Sequence, residues 1–386
     1  MMEYKRLGDY IRAVDVRNRD LKVTNLLGLS IEKKFIPSIA NTIGTDMSVY
    51  KIVSPTQFAY VPVTSRNGDK ITIALYKGTD NAIISQAYTV FEVIDHSVLL
   101  PEYLMMWFRR PEFDRYARFH SHGSAREVFD WSELCEVMLP VPNIEQQREI
   151  VAEYETPTNR IRLNEQIIQR LEATAQALYR KTFVENIDKE NLPTGWRMGT
   201  IGEIFNLTIG RTPPRAEEKW FADSKETSET MQWVSIADMG CDVFVCKTKE
   251  RLTNESIKRF NIPIVPKDSV LLSFKMTVGR VAITTKNTLT NEAIAHFVCN
   301  DKPQFREYIY LYLKNVDFKT QGNISSITEA VNTNIIKQME IILPLDDVLN
   351  SFHEQQKDVF NNIYLRQKEI EKIKELLSLL LAKMGK

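Results

Sequence analysis

His120 and His122, one residue apart in "HSHGS", are the residue types that acid–base catalysis or a metal ion would use, but no carboxylate or cysteine stands at ligand spacing beside them. They read as a polar loop. The four cysteines, Cys135, Cys241, Cys246 and Cys299, form no CxxC pair and predict reduced structural thiols rather than a zinc site or a disulfide framework. Among fourteen glycines none are spaced Gly-x-Gly, and the one Gly-Lys pair is Gly385-Lys386, so neither a dinucleotide-type or S-adenosylmethionine-type glycine loop nor a Walker loop is present. Neither catalysis nor metal binding has an evident place in these residues.

The elements that any other site would rest on follow from composition and repetition. The chain has 386 residues, 43% of them hydrophobic, which is room for two or three cored domains. The start "MMEYKRLGDY" lacks an apolar leader and no run of 18 apolar residues occurs, so a cytoplasmic protein without a membrane span is expected. Fifty basic residues balance fifty acidic ones. A zero sum neither identifies nor excludes nucleic acid, because separate patches of opposite sign cancel in it.

The chain says one thing twice. "EVMLP" (136–140) returns as "EIILP" (340–344), "NIEQQREIVAEY" (143–154) as "SFHEQQKDVFNNIY" (351–364), "SQAYTVFEV" (85–93) as "NEAIAHFVC" (291–299), and "EYLMMWF" (102–108) as "EYIYLYL" (307–313). The period of about two hundred residues is too long for a solenoid unit and suits two copies of a domain plus a helix.

Each copy ends in coiled-coil spacing. In the first, the seam is Ile161, Asn164, Ile168, Leu171, Ala175 and Leu178; in the second it is Ile363, Arg366, Ile370, Ile373, Leu377, Leu380 and Met384. The polar positions Asn164 and Arg366 fill matching steps, and the first helix is one heptad longer when counted from "EQQ". Asn143 with Gln146 and Ser351 with Glu354 are the expected helix starts. Pro157 predicts a kink or restart in the first helix. The simplest arrangement pairs the two helices antiparallel. Ahead of each lie strand-like runs, "FAYVPV", "KITIALY" and "YTVFEVI" in the first copy and "SVLLSF", "GRVAITT" and "IAHFVC" in the second, followed by a helix such as "PEYLMMWFRRPEF". The expected fold is α+β: two domains, each with a curved β-sheet and helices, separated by two long helices that form an antiparallel coiled coil.

Over essentially the whole chain this pattern resembles the specificity subunit of type I restriction-modification systems. The resemblance is carried by "LPVPNIEQQ" (139–147), the weaker "LPLDDVLNSFHEQQ" of the second half, "GWRMGTIGEIFNLTIGRTP" (195–213), "WVSIADM" (233–239) and "VLLSFKMTVGRVAITTKNTLTNEAIA" (270–295). The first half departs from the "G.TP" pattern and has "GLSIEKKFIPSIANTIGTDMSVYKIVSP" (28–55), which looks like another subtype of recognition domain. The resemblance implies a first target-recognition domain over 1–142, a spacer helix over 143–190, a second recognition domain over 191–346 and a second helix over 347–386. It also implies double-stranded DNA as the ligand, each domain reading half of a bipartite site. Two methyltransferase subunits dock on the helices, with restriction/translocase subunits where the system is complete. S-adenosylmethionine, ATP and Mg²⁺ then belong to those partners and no cofactor to this chain.

For a DNA reader, loop side chains must reach base edges while cations and amides hold phosphates. The candidates in the second domain are Arg211, Thr212, Lys275, Thr277 and Arg280; in the first they are Lys33, Lys34, Ser65, Arg66, Asn67, Lys70 and Lys77. Two other classes stay open on the residues alone. A single-chain enzyme would need the missing glycine loops, and a coiled-coil scaffold without DNA specificity would have no use for two diverged domains.

Overall fold

The computed structural model describes residues 3–38, 44–65, 67–123, 126–185, 187–223, 225–240, 242–318 and 333–384. Its strand pairs explain the repeated phrase. Tyr4–Arg6, which opens the first copy, runs antiparallel to Met138–Pro140, which closes it; Arg197–Thr200 runs antiparallel to Glu340–Leu343 in the same way. From each closing strand the chain passes into a long helix, Ile144–Phe183 in the first copy and Asp346–Lys383 in the second.

By its contacts the chain forms two compact units, Met1–Arg160 with Lys372–Lys386, and Ile161–Glu371. The first is built on a four-stranded antiparallel sheet in the order Ile11–Val14, Thr89–Val93, Phe58–Tyr60, Ile73–Leu75, with two further antiparallel pairs, Leu27–Leu29/Phe35–Pro37 and Lys51–Val53/Ala82–Ile84. Phe58 and Phe91 stack at 4.8 Å across neighbouring strands and meet Phe108 of the helix Pro101–Phe108. The single helix expected over "PEYLMMWFRRPEF" is two helices, Pro101–Phe108 and Pro111–Phe119. Pro111 forces Arg110 out of helical geometry, to ψ 138°, and then serves as the first residue of the next helix.

In the second unit a five-stranded sheet has the order Thr208–Ile209, Ile294–Phe297, Val270–Ser273, Val281–Thr284, Phe244–Val245. A four-stranded one has the order Phe221–Asp223, Glu250–Thr253, Thr230–Val234, Leu289–Thr290. The apolar runs that read as strands are strands because both their faces are covered: Val270–Ser273, Val281–Thr284 and Ile294–Phe297 are buried at every residue. The helix Phe305–Asn315 joins this core to both long helices. Tyr310 donates to Glu172 at 3.2 Å and Asn315 to Gln176 at 3.1 Å, while the fully buried Glu307 meets His353 at 2.6 Å. Burial raises the Glu172 carboxyl above its ordinary range.

The long helices run antiparallel within the second unit. Phe183 meets Phe352 with ring centroids 4.9 Å apart, and nearer the start of the first helix Asn164 meets Arg366, whose Nη1 donates to Asn164 Oδ1 at 3.0 Å. One helix therefore descends as the other ascends, and the polar positions of the two seams face each other. Asn164, Ile363, Ile370 and Leu377 are buried, and Ile161, Ile168, Leu171, Leu178, Arg366, Ile373 and Leu380 are half-buried. In the first unit, Val151, Leu381 and Met384 join the core around the sheet.

Two helix expectations are corrected. The helix does not restart at Pro157; it continues, and the hydroxyls of Thr156 and Thr158 donate to the carbonyls of Ala152 and Tyr154 at 3.0 and 2.8 Å beside the missing donor. Ser351 caps nothing, because the second helix begins at Asp346, where Asp346 and Asp347 complement its N-terminus. That early start also brings the helices to nearly equal lengths, 40 and 38 residues. Asn143 does cap the first helix, its Oδ1 accepting from Gln146 N at 2.9 Å.

Gln147 is the buried anchor of the repeated "EQQ". Its Oε1 accepts from Leu100 N at 2.9 Å, and its Nε2 donates to Val98 O and Pro142 O, both at 2.8 Å, so one side chain ties the helix start to the loop ahead of Pro101. The matching Gln356 is also buried, but its Oε1 has no partner. Gln147→Leu should therefore lower the unfolding free energy by about 1–3 kcal/mol. Gln356→Leu should cost less, as read from paired urea denaturation curves.

Candidate nucleic-acid interface

In the second unit the loops predicted to carry the site are drawn together by backbone contacts. Gly210 lies so close to the next segment that a Cβ there would sit 2.0 Å from Thr290 O and 2.4 Å from Asn291 O, which accounts for the glycine of "GRTP". Arg211 N donates to Thr290 O at 3.0 Å, and the Thr212 hydroxyl donates to Glu292. The Lys275–Thr277 loop adjoins the same region: Phe274 N donates to Ala293 O at 3.0 Å, and Arg280 Nη1 donates to Ile236 O at 2.8 Å. Lys275 and Thr277 are exposed. Arg280 is half-buried, and its Nη1 ties "WVSIADM" to the loop. Arg211 is exposed, and its Nη1 holds Phe260 O at 3.0 Å.

Beside these loops the structure gathers cations that the sequence reading missed. Arg215 lies over the rings of Phe221 and Trp233, at 4.4 and 5.0 Å, and Lys219 and Arg259 lie over Trp220, at 4.4 and 5.4 Å. Arg215 also pairs with Glu250 at 2.7 Å and Lys219 with Glu217 at 3.2 Å. Aromatic rings hold these positive groups at fixed places on the surface, which suits phosphate contacts. The signal available in sequence was the alternation of Arg215, Lys219, Trp220 and Phe221.

The first-unit candidates divide. Ser65, Asn67 and Lys70 lie in a turn fastened to the segment after Phe119: Thr64 N donates to Glu127 O at 2.9 Å, the Thr64 hydroxyl to Ser121 Oγ at 3.0 Å, and Arg118 Nη1 to Gly68 O at 3.0 Å. Arg66 lies outside the described residues. Lys70 pairs with Glu32 at 2.9 Å, bringing the turn to the loop that carries exposed Lys34. Phe119, 80% exposed, stands at the same place. Lys33 is elsewhere. It is 6% exposed, its ammonium pairing with Asp114 at 2.7 Å and donating to Phe108 O, so it is a core ion pair and not a DNA contact. Desolvation draws its pKa down, opposed by the Asp114 charge. Lys77 pairs with Glu155 of the long helix at 2.8 Å, beside a recess formed with Met105, Met106 and Tyr154.

His120 has a carboxylate partner that spacing concealed, Glu133, 2.9 Å from its Nδ1, with the His120 ring stacked on Tyr116. Among the described residues no group of three or more His, Cys, Asp or Glu could hold a metal. Cys135, Cys246 and Cys299 are free, and burial pushes the Cys246 and Cys299 thiols up to about 12; Cys241 lies outside the described residues. Among the described residues no helix is long and apolar enough to cross a membrane.

Residues 193–375 match the type I restriction modification DNA specificity domain, so the unit with the glycine-fixed loop cluster is a DNA specificity domain. Specificity subunits of type I restriction-modification systems are also what the chain is similar to over most of its length. It is similar to the specificity subunit of the type I restriction enzyme HindI of Haemophilus influenzae, at 21% identity over 79% of this chain and 81% of that one. It is also similar to the MjaIX specificity subunit of Methanocaldococcus jannaschii, at 22% identity over 76% of this chain and 70% of that one. Its fold is that of the type I system S subunit from M. genitalium, with a TM-score of 0.60, 12% identity, and 100% and 96% of the two chains covered.

The two lysines at opposite extremes should separate by assay. Lys33→Met strands Asp114 and should cost about 3–5 kcal/mol of stability, with DNA affinity unchanged at a temperature where the variant is folded. Lys275→Ala should leave the denaturation midpoint unchanged and weaken binding of all sequences alike, lowering the salt slope by about one.

Proposed function

We propose that each recognition domain reads one half of a bipartite DNA target, and that the paired helices set the spacer and dock two methyltransferase subunits. The chain itself is non-catalytic: S-adenosylmethionine, ATP and Mg²⁺ belong to its partners, which include restriction/translocase subunits in a complete system, and the complex works in the cytoplasm. The observation that carries this reading is the duplicated closure, in which each copy's opening strand pairs with the strand leading into its helix. Two equivalent helix starts on one chain offer two equivalent docking places, as a dimer would. Two unlike recognition halves accord with unlike half-sites.

The compact units divide after Arg160 and after Glu371, inside both helices. A test of the spacer therefore belongs there and should cut both strands of the coil together. Deleting Thr156–Arg162 and Glu369–Glu375 removes one heptad from each helix, keeps the Asn164–Arg366 register, and shortens the coil by about 10 Å, close to three base pairs. The variant should bind the methyltransferase subunit and lose methylation at the native site in single-molecule methylation sequencing. Normal methylation of the native spacing would show that the helices are not the ruler.

A further inference from the structure

Met276 stands out from every other large apolar side chain among the described residues. It is 95% exposed, and its backbone lies at φ +60°, in the left-handed region that a residue with a Cβ occupies at a cost. Nothing local requires methionine there. The loop around it is nonetheless firmly built: the Ser273 hydroxyl donates to Thr277 O at 2.5 Å and accepts from Arg280 N at 3.0 Å, Gly279 N donates to Ser273 O at 2.9 Å, and Gly279 takes φ +91°. Arg280 then ties the loop to Ile236 O. A strained, hydrogen-bonded turn thus carries a flexible thioether out into water, with exposed Lys275 and Thr277 on either side.

We infer that Met276 makes an apolar contact with the 5-methyl group of a thymine in the major groove of the half-site read by the second domain. The inference rests on the DNA-reading role proposed above and adds a specificity-determining residue to it. The major groove sets thymine methyls beside hydrogen-bond acceptors, so a lone apolar tip between a lysine and a threonine matches its chemistry. A wedge that unstacks bases would call for a broader apolar surface than one unbranched side chain provides. The strain is consistent with function: glycine would suit the backbone better, and methionine stands there instead.

The test uses the whole chain with its methyltransferase partner, after the methylated motif has been mapped in the host genome. Each thymine of the second half-site is replaced in turn by deoxyuridine, which removes only the methyl group, and dissociation constants are measured for wild type, Met276→Ala and Met276→Gly. For wild type, one replacement should weaken binding roughly fourfold, the worth of one buried methyl. Both variants should lose about that factor on thymine DNA and lose nothing more on the deoxyuridine duplex. Met276→Gly should also raise the thermal midpoint, which a structural role for the methionine would not allow. The assignment is overturned if the variants bind thymine DNA like wild type, if the deoxyuridine effect persists in them, if no replacement affects wild type, or if the variants lose the methyltransferase subunit instead. Failure of the recognition reading looks different: the wild-type complex would then not discriminate the mapped site from unrelated DNA.

Discussion

The antiparallel strand pair that closes each copy is the constraint on which the other features depend. A two-stranded pair of three or four residues is weak by itself. It persists here because its residues also line the domain core: Leu139 and Ile341 are buried, and the chain turns from that strand directly into the long helix. Opening strand, closing strand and helix start are thereby locked together, and the position of the helix is set by the domain that precedes it. In the first copy Gln147 adds three hydrogen bonds to the lock.

Antiparallel pairing then gives the duplication its use. Within the second unit the end of the first helix packs on the start of the second, Phe183 against Phe352, while Arg366 and Asn164 meet further along. A buried polar contact between the seams is a poor source of stability and a good source of register, since a shifted pairing would strand Asn164 in an apolar environment. The neutral overall charge is met locally as well: Arg215, Lys219 and Arg259 lie over aromatic rings, and Glu250 and Glu217 pair with the first two.

The long-range plan was legible because it is periodic. Repeated phrases gave the duplication, and three-four spacing gave seams whose apolar and polar members are buried or half-buried in the fold. Apolar runs such as "SVLLSF" became buried strands. What could not be read were properties set by partners distant in sequence. Lys33 looked like a surface lysine until Asp114 met it in the core, and nothing in the spacing foretold that Ile236 O would accept from the Arg280 guanidinium. Lys77 is claimed by Glu155, and His120 by Glu133. The left-handed backbone of Met276 left no trace in residue type, because methionine is not a residue that usually marks such a turn.

The central claim is that one chain holds two separately closed DNA readers. It is tested most directly by exchanging residues 1–142, opening strand and closing strand together, for the corresponding domain of a related subunit, and sequencing the methylated sites made by the hybrid with its methyltransferase. The account predicts that one half of the motif changes while the other half and the spacer remain. A hybrid that folds and docks, yet alters both halves of the motif at once, would contradict it.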